Sequence, residues 1–265
     1  MNRIDRKFKE LKTAGEKAFI VFITAGYPSL TATEKLVEEF DRIGVSIVEL
    51  GVPFTDPMAD GPVIQEASTA ALKKNTHLVD ILNMVKRLRG RVSIPICLMT
   101  YYNPVFCFGE DRFIRYCLEC GVDGVIIPDL PPEEAKEFLS SARKKSLDII
   151  CFLAPTSTPK RVKFISRVSR GFIYYVSLTG TTGARSSLPA QLSGKIKEIK
   201  RVSDKPVCAG FGVSTSAQVK EVLKVADGVI VGSAIVKKIK ECSGSPDMVR
   251  RVGNFISHLK SRDGS

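Results

Sequence analysis

The side chains best suited to chemistry in this sequence are two acids, Glu49 and Asp60. Glu49 lies in the apolar run 46–50, and Asp60 follows in a segment rich in proline and glycine. Successive side chains of a strand point to opposite faces, so Glu49 faces inward if Val48 and Leu50 pack outward against helices. A buried carboxylate is costly unless it is paired, hydrogen-bonded or protonated. Glu49 and Asp60 are therefore our candidates for acid–base catalysis.

Each of these acids also has a structural interpretation. Glu49 could accept hydrogen bonds from backbone N–H groups or pair with an arginine at the end of the strand. Asp60 precedes Gly61 and Pro62 on a loop that must begin a helix near Val63, and aspartate is a common N-cap residue at such a place. The sequence leaves both alternatives open.

Other kinds of catalytic site are not favoured by the residue content. The only histidines are His77 and His258, whereas a metal-dependent site needs clusters of histidine or acids. No predicted strand ends in a lysine of the kind that forms a Schiff base. Cys117 and Cys120 form one CxxC pair without a second pair, which favours a packed helix over a zinc site. We therefore expect no metal, which leaves acid–base chemistry by carboxylates.

Size and composition indicate a soluble protein of the cytoplasm. The chain has 265 residues, and it contains no apolar run long enough to cross a membrane and no signal-peptide core near its start. Seven cysteines, an odd number, argue against a disulfide framework. The net charge of +12 comes from dispersed basic residues without interleaved aromatics, which disfavours nucleic acid and suits an anionic substrate. We expect neither a nucleic-acid partner nor a membrane partner.

Eight apolar runs are predicted to be strands, and a helical pattern follows each of them. The predicted strands are 18–24, 46–50, 94–101, 123–127, 148–153, 172–177, 205–209 and 227–231. The predicted helices are 31–43, 63–74, 78–88, 111–120, one from Pro132, 159–168, 191–202, 214–225, one from Ala234, and 247–259. This α/β alternation predicts a closed (β/α)8 TIM barrel, with an open doubly wound sheet as the alternative. We predict one barrel domain over residues 1–265, with an extra N-terminal helix at 4–11.

The catalytic groups of such a barrel lie at the carboxyl ends of its strands. The residues at or just after these ends combine aromatic and carboxylate side chains, which suits a flat aromatic ligand with a polar attachment. They are Phe22, Glu49, Asp60, Tyr101, Asp129, Tyr174, Thr182 and the run 210–212. Gly212, Gly232 and Ser233 follow the last two strands, where backbone N–H groups favour phosphate. Gly183, on the long loop 178–187, supports this interpretation, although such glycines could also serve tight turns only.

Six motifs distributed along the chain identify a known family. They are ELGVPFTDPMADGPVIQ from Glu49, YYNP from Tyr101, PDLP from Pro128, TGTTGA from Thr179, GFGVS from Gly210 and VGSA from Val231. With these motifs the chain resembles the alpha subunits of tryptophan synthase over essentially its whole length. The resemblance implies a lyase that cleaves indole-3-glycerol phosphate to indole and D-glyceraldehyde 3-phosphate, by a retro-aldol reaction without a cofactor, in L-tryptophan biosynthesis.

The resemblance also implies a role for each matching residue. Glu49 is expected to be the general acid and base, and Asp60 to hydrogen-bond the ring N–H of the substrate. The other expected contacts are Phe22, Tyr101, Tyr174 and Phe211 around the indole, Thr182 against Asp60, and Gly183, Gly212, Gly232 and Ser233 at the phosphate. No role is implied for Thr100 or Arg185.

A partner is implied as well. Alpha subunits of this family assemble with a beta subunit that carries pyridoxal phosphate, as an alpha2–beta2 tetramer, and loops around Asp56 and Thr181 are expected to face it. A site closed by two loops should work better once docking orders them. The alternatives are a lyase that acts without a partner and a non-catalytic subunit that only activates a partner. The presence of both Glu49 and Asp60 disfavours the non-catalytic alternative.

Overall fold

The structure is a computed structural model that describes residues 2–176, 190–210 and 212–261. Within these ranges eight parallel strands form a closed barrel, in which each strand pairs with its neighbours along the chain and the last pairs with the first. The strands are β1 (Ala18–Thr24), β2 (Ile47–Gly51), β3 (Ile96–Met99), β4 (Gly124–Ile126), β5 (Asp148–Leu153), β6 (Ile173–Val176), β7 (Val207–Gly210) and β8 (Gly228–Val231). The predicted (β/α)8 fold is therefore confirmed, whereas the single domain over residues 1–265 stays a prediction.

Twelve helices surround the barrel within the same ranges. They are α1 (Arg3–Thr13), α2 (Leu30–Arg42), α3 (Pro62–Leu72), α4 (Leu78–Leu88), α5 (Tyr102–Phe108), α6 (Glu110–Cys120), α7 (Lys136–Lys144), α8 (Pro159–Val168), α9 (Ala190–Val202), α10 (Ser216–Leu223), α11 (Ser233–Cys242) and α12 (Met248–Lys260). Cys117 and Cys120 lie buried on α6, as expected for a packed helix. In the described part of the chain, no helix has the length and apolar character needed to span a bilayer.

Apolar side chains on both faces explain why these strands close into a barrel. All residues of β1 and of β2 are buried. The outward side chains Val48 and Leu50 belong to the large cluster shared with the helices. The inward side chains Ile20 and Ile47 belong to a separate cluster inside the barrel. Strands buried on both sides in this way are typical of parallel sheets covered by helices.

The helix α1 closes the barrel at the amino ends of the strands. Asn2 caps this helix through the Ile4 N–H, and its side chain also donates to the carbonyl oxygen of Asp123 at 2.6 Å. The carboxylate of Asp123 binds Arg3 at 3.0 Å and Arg89 at 2.7 Å, and it accepts from the N–H of Ile96. Asp123 therefore joins α1 to β3 and β4 at this end of the barrel.

The observed elements depart from the prediction most clearly at two places. The strand predicted at 94–101 is observed only as β3, and the short helix α5 directly after it was not predicted. The helix predicted from Pro132 begins instead at Lys136. The Glu134 N–H closes a separate turn on the carbonyl of Pro131, and the buried Ala135 then interrupts the helical path with φ −97° and ψ 25°.

We expect Asp123→Asn to lower the free energy of unfolding by about 3–5 kcal/mol, because Arg89 would stay buried without its counter-charge. The matched control is Asp111→Asn, which breaks an exposed ion pair with Lys145 and should cost much less. Urea unfolding of the two variants measures the difference. If the two variants lose the same free energy of unfolding, the buried pair of Asp123 and Arg89 does not stabilise the amino end of the barrel.

Candidate active site

Glu49 lies inside the barrel in the middle of β2. It is in register with Phe22 of β1 on one side and with Cys97 of β3 on the other. Its side chain is 0% exposed, and within the described residues neither carboxyl oxygen has a hydrogen-bond partner. Burial therefore acts on the group unopposed and raises its pKa to about 8. At neutral pH Glu49 holds a proton and is able to act as an acid.

The structural interpretation of Glu49 is contradicted by this environment. A carboxylate kept for stability would resemble Asp123, which is also buried but binds Arg89, Arg3 and a backbone N–H. Glu49 has no such partner among the residues that the structure describes. An unpartnered carboxyl inside a barrel weakens the fold, so its presence at this position favours a catalytic role.

Asp60 lies on the loop between β2 and α3. The residue that caps α3 is Gly61, which has no side-chain cap, so the N-cap interpretation of Asp60 was wrong. The Asp60 carboxylate instead accepts a hydrogen bond from the Tyr101 hydroxyl at 3.2 Å. Burial raises the pKa of Asp60 to about 6, and the hydrogen bond from Tyr101 opposes that rise. Asp60 is therefore mostly ionised at pH 7.

Tyr101 holds the Asp60 loop in place. Its hydroxyl accepts a hydrogen bond from the Ala59 N–H at 2.9 Å while it donates to Asp60. Its ring stacks on Phe54 with the centroids 5.1 Å apart and the planes at 23°. Burial and the nearby Asp60 raise the pKa of Tyr101, so its hydroxyl keeps its proton. Tyr101 was predicted to lie in the site. Phe54 was not, because nothing in the motif around it indicates that its ring stacks on Tyr101.

Two aromatic side chains from opposite sides of the barrel lie near Glu49. Phe22 fills the space beside Gly51, where a Cβ atom would meet the ring at 2.6 Å, and it also contacts Gly232. Tyr174 packs on Phe152 with the ring centroids 4.9 Å apart. The pKa of Tyr174 is raised by burial and by the charges of Glu49 and Asp60, so the tyrosine is within electrostatic reach of both acids.

Phe152 was missed by the sequence analysis, although the inward alternation of β5 contains a signal for it. Position 152 is two residues beyond the inward-facing Ile150, and thus on the same face of the strand. The predicted contacts Thr182, Gly183 and Phe211, together with the long loop 178–187, lie outside the described residues. Asp129, another predicted rim residue, accepts a hydrogen bond from the Tyr102 N–H at 2.8 Å and so begins α5.

The predicted phosphate residues that the structure describes, Gly212, Gly232 and Ser233, follow the carboxyl ends of β7 and β8. Gly232 is the N-cap of α11, and Ser233 is the first residue of that helix. The N–H groups in the first turn of a helix have no acceptor within the helix, and the helix dipole favours an anion near them. Gly212 adopts a left-handed φ of 51°, with no atom within 4 Å of the position of its missing Cβ. Within the described residues, this end of the barrel therefore combines open space at Gly212 with the backbone N–H donors in the first turn of α11.

The electrostatics of the site keep the two acids in different protonation states. The two acids differ in exposure, and between pH 6 and 8 Glu49 keeps its proton while Asp60 is charged. Such separated pKa values are typical of an acid and a charged stabiliser working in one site. No group of three or more His, Cys, Asp or Glu side chains that could hold a metal ion occurs in the ranges that the structure covers.

Comparisons with known proteins agree with the fold and the motifs. The family model described as tryptophan synthase alpha chain matches residues 8–262. The tryptophan synthase alpha chain of Geobacter sulfurreducens is 48% identical over 265 residues, which cover 100% of both chains. The solved tryptophan synthase subunit alpha from Legionella pneumophila superimposes with a TM-score of 0.91 at 37% identity and covers 98% of this chain and 97% of its own. A chain of tryptophan synthase from M. tuberculosis superimposes with a TM-score of 0.86 at 33% identity, over 98% of this chain and 100% of that chain.

We expect Glu49→Gln to gain stability relative to the wild type as pH rises. The folded protein keeps the Glu49 proton up to pH of about 8, whereas the unfolded chain releases it near the ordinary value of 4.5. As the pH rises between these values, the free energy of unfolding of the wild type therefore falls, by as much as about 4 kcal/mol in total. The glutamine variant does not titrate at this position and has no such loss.

Urea unfolding at pH 5 and at pH 8.5 measures this change in both proteins, with the exposed Glu66→Gln as control. If the stability difference between Glu49→Gln and the wild type is the same at the two pH values, Glu49 does not have a raised pKa.

Proposed function

The chain belongs to the tryptophan synthase alpha chain family, and on this premise we propose that Glu49 and Asp60 carry out the reaction of that family. The reaction is the cleavage of indole-3-glycerol phosphate to indole and D-glyceraldehyde 3-phosphate, which makes the protein a carbon–carbon lyase. The observation that carries our assignment is the buried carboxyl of Glu49, which has no hydrogen-bond partner among the described residues. A group in this state is protonated at neutral pH and is ready to donate to the indole ring.

Glu49 acts first as an acid and then as a base. Its proton goes to the ring carbon that carries the glycerol phosphate chain, which leaves positive charge on the ring nitrogen. The resulting carboxylate then removes the proton of the side-chain hydroxyl next to that carbon. The electron pair of the O–H bond forms the aldehyde, the carbon–carbon bond breaks, and its electrons restore the aromatic indole. Glu49 ends the cycle with its proton regained.

Asp60 stabilises the charge that develops on the ring. With a pKa of about 6 it is ionised at pH 7 and accepts a hydrogen bond from the ring N–H. The hydrogen bonds of Tyr101 to Asp60 and to the Ala59 N–H fix the direction of this carboxylate before substrate binds. Preorganisation of this kind removes the cost of reorienting the charge during the reaction.

The remaining assigned residues bind the two ends of the substrate. Phe22, Tyr101, Tyr174 and Phe211 are proposed to surround the indole, and Thr182 to contact Asp60. Gly183, Gly212, Gly232 and Ser233 are proposed to bind the phosphate through backbone N–H groups and the N-terminus of α11. A net charge of +12 supports the capture of this anionic substrate. Proton transfers by carboxyl groups account for the whole reaction, so we propose no cofactor in this chain, and a cytoplasmic location.

The partner that we propose is a tryptophan synthase beta subunit carrying pyridoxal phosphate, in an alpha2–beta2 tetramer. Two large apolar side chains are exposed beside the site, Met58 at 91% and Phe106 at 66%. Both are directly linked to the site, because Met58 precedes Ala59 and Phe106 packs against Tyr102, with ring centroids 6.0 Å apart. Exposed apolar groups of this size are typical of an interface. Docking on Met58 would also act on the loop that carries Asp60.

Substitution of the acids should abolish catalysis without unfolding the protein. We expect Glu49→Gln and Asp60→Asn to lower the rate of indole release by about 10²–10⁴-fold, because proton transfer and charge stabilisation contribute effects of that order. Indole released from indole-3-glycerol phosphate is measured directly. The exposed Glu66→Gln is the control, and near-normal turnover by Glu49→Gln would remove Glu49 from the mechanism.

A beta subunit should accelerate indole release. We expect the rate to rise about 10-fold, because docking reduces the entropy that is lost when the loops around the site close on the substrate. Met58→Ser and Phe106→Ser should weaken the complex, whereas Val202→Ser, an exposed valine at the far end of α9, should not. Titration of the partner against indole release measures both effects. A rate that is fast and insensitive to the partner would instead indicate an independent lyase.

A further inference from the structure

The barrel interior is closed at the amino ends of its strands, here called the floor, by a residue of α1, which lies outside the eight β/α units. Ile4 of α1 is 0% exposed and belongs to the cluster of side chains inside the barrel. A Cβ atom at Gly124 would meet three atoms at once: Ile150 Cδ1 at 2.7 Å, Ile4 Cδ1 at 2.9 Å and Cys97 Sγ at 3.2 Å. These side chains converge so closely on Gly124 that they leave no room for a methyl group there.

This floor lies beside Glu49. Gly124 is in register with Cys97, and Cys97 is in register with Glu49, so all three positions face the barrel interior. Gly124 begins β4, whereas Glu49 is the third residue of β2, so Gly124 lies nearer the amino ends of the strands. The Ile4 side chain reaches Gly124 from that end. It is therefore an apolar barrier between Glu49 and the solvent under the barrel.

The titratable groups that face Glu49 come from three other strands. They are Cys97 of β3, Tyr174 of β6 and Cys208 of β7, and the pKa of each is raised by burial first and by the charge of Glu49 among the further causes. All three are therefore neutral in the range where Glu49 titrates. None of them supplies a charge that could replace water as a stabiliser of the Glu49 carboxylate.

Two further acids, Asp123 and Asp148, lie at the amino ends of β4 and β5. Asp123 is neutralised by its pairs with Arg89 and Arg3. The pKa of Asp148 is raised to about 7 by burial first and then by Asp5, against the effect of Arg170. The pKa of Glu49 itself is raised by burial. Because burial is the cause of that raised pKa, water that enters through the floor would lower it.

We propose that Ile4 is a positioning residue for catalysis, which closes the barrel beneath Glu49 and keeps water away from this acid. The proposal rests on the proposed role of Glu49 as general acid. It gives α1, which lies outside the eight β/α units, a function in the reaction besides stability. It also explains why an apolar residue, rather than another partner for Asp123, follows Arg3 in the first turn of α1.

Two replacements of similar shape separate the effect of water at the floor from the effect of lost packing. Ile4→Val and Ile4→Thr remove similar volume, but only threonine brings a hydroxyl that can hold water at the floor. Val252→Ala, in α12 and outside the barrel interior, controls for general loss of stability. The pKa of Glu49 is measured from its carboxyl carbon by NMR of the full chain labelled with carbon-13 glutamate, and its signal is assigned with Glu49→Gln.

We expect the pKa of Glu49 to fall by about one unit in Ile4→Thr, and to stay near the wild-type value in Ile4→Val and in Val252→Ala. A fall of the pKa from 8 to 7 lowers the protonated fraction of Glu49 at pH 8 about fivefold. The alkaline limb of the pH profile of indole release should therefore move to lower pH by about the same one unit. Measuring each variant also with Asp148→Asn separates the titration of Asp148 from that of Glu49.

The proposal is overturned if Ile4→Thr leaves the pKa of Glu49 unchanged, or if Ile4→Val lowers it by the same amount. A third result tests the proposed function separately. If the pKa falls in Ile4→Thr while the pH profile of indole release does not move, Ile4 keeps the barrel dry but Glu49 is not the general acid.

Discussion

The burial of one unpaired carboxyl group is the constraint on which this site depends. Charge on Glu49 inside the barrel would be strongly disfavoured, and the group avoids that cost by keeping its proton. The closed sheet tolerates such a group because the backbone of each strand is bonded to two neighbouring strands. The apolar layers on both sides of β1 and β2 supply stability that offsets this weak point. The barrel is thus a means of holding an acid in its neutral form.

Space in the site comes from glycines, which lie where the aromatic rings need room. Phe22 occupies the place that a side chain at Gly51 would take, and the Tyr174 hydroxyl lies 2.9 Å from the Cβ position of Gly210. These two glycines are needed for close approach, since neither has a positive φ. Gly212 differs from them, because its φ of 51° requires a residue without Cβ. Small residues at the strand ends therefore shape the walls of the site and the proposed phosphate end by two separate physical effects.

Features that depend on local patterns could be predicted from the sequence. The eight apolar runs and the inward direction of Glu49 follow from burial on two faces and from alternation along a strand. The hydrogen bond from Tyr101 to Asp60 could not be predicted, because it joins loops that are 41 residues apart and meet only in the closed barrel. The late start of α7 was missed for a similar reason, since the buried Ala135 interrupts a sequence with good helical signals.

The difference between the two acids follows from how each is buried. Asp60 sits on a loop at the open end of the barrel and has one donor, the Tyr101 hydroxyl, which favours its charged form. Glu49 lies one layer inside, and the described residues offer it no donor. The order of their pKa values, about 6 and about 8, is thus determined by depth in the barrel and by a single hydrogen bond. The two proposed roles, one for a protonated acid and one for a charged acid, require this order, and the two states exist together only between those two values.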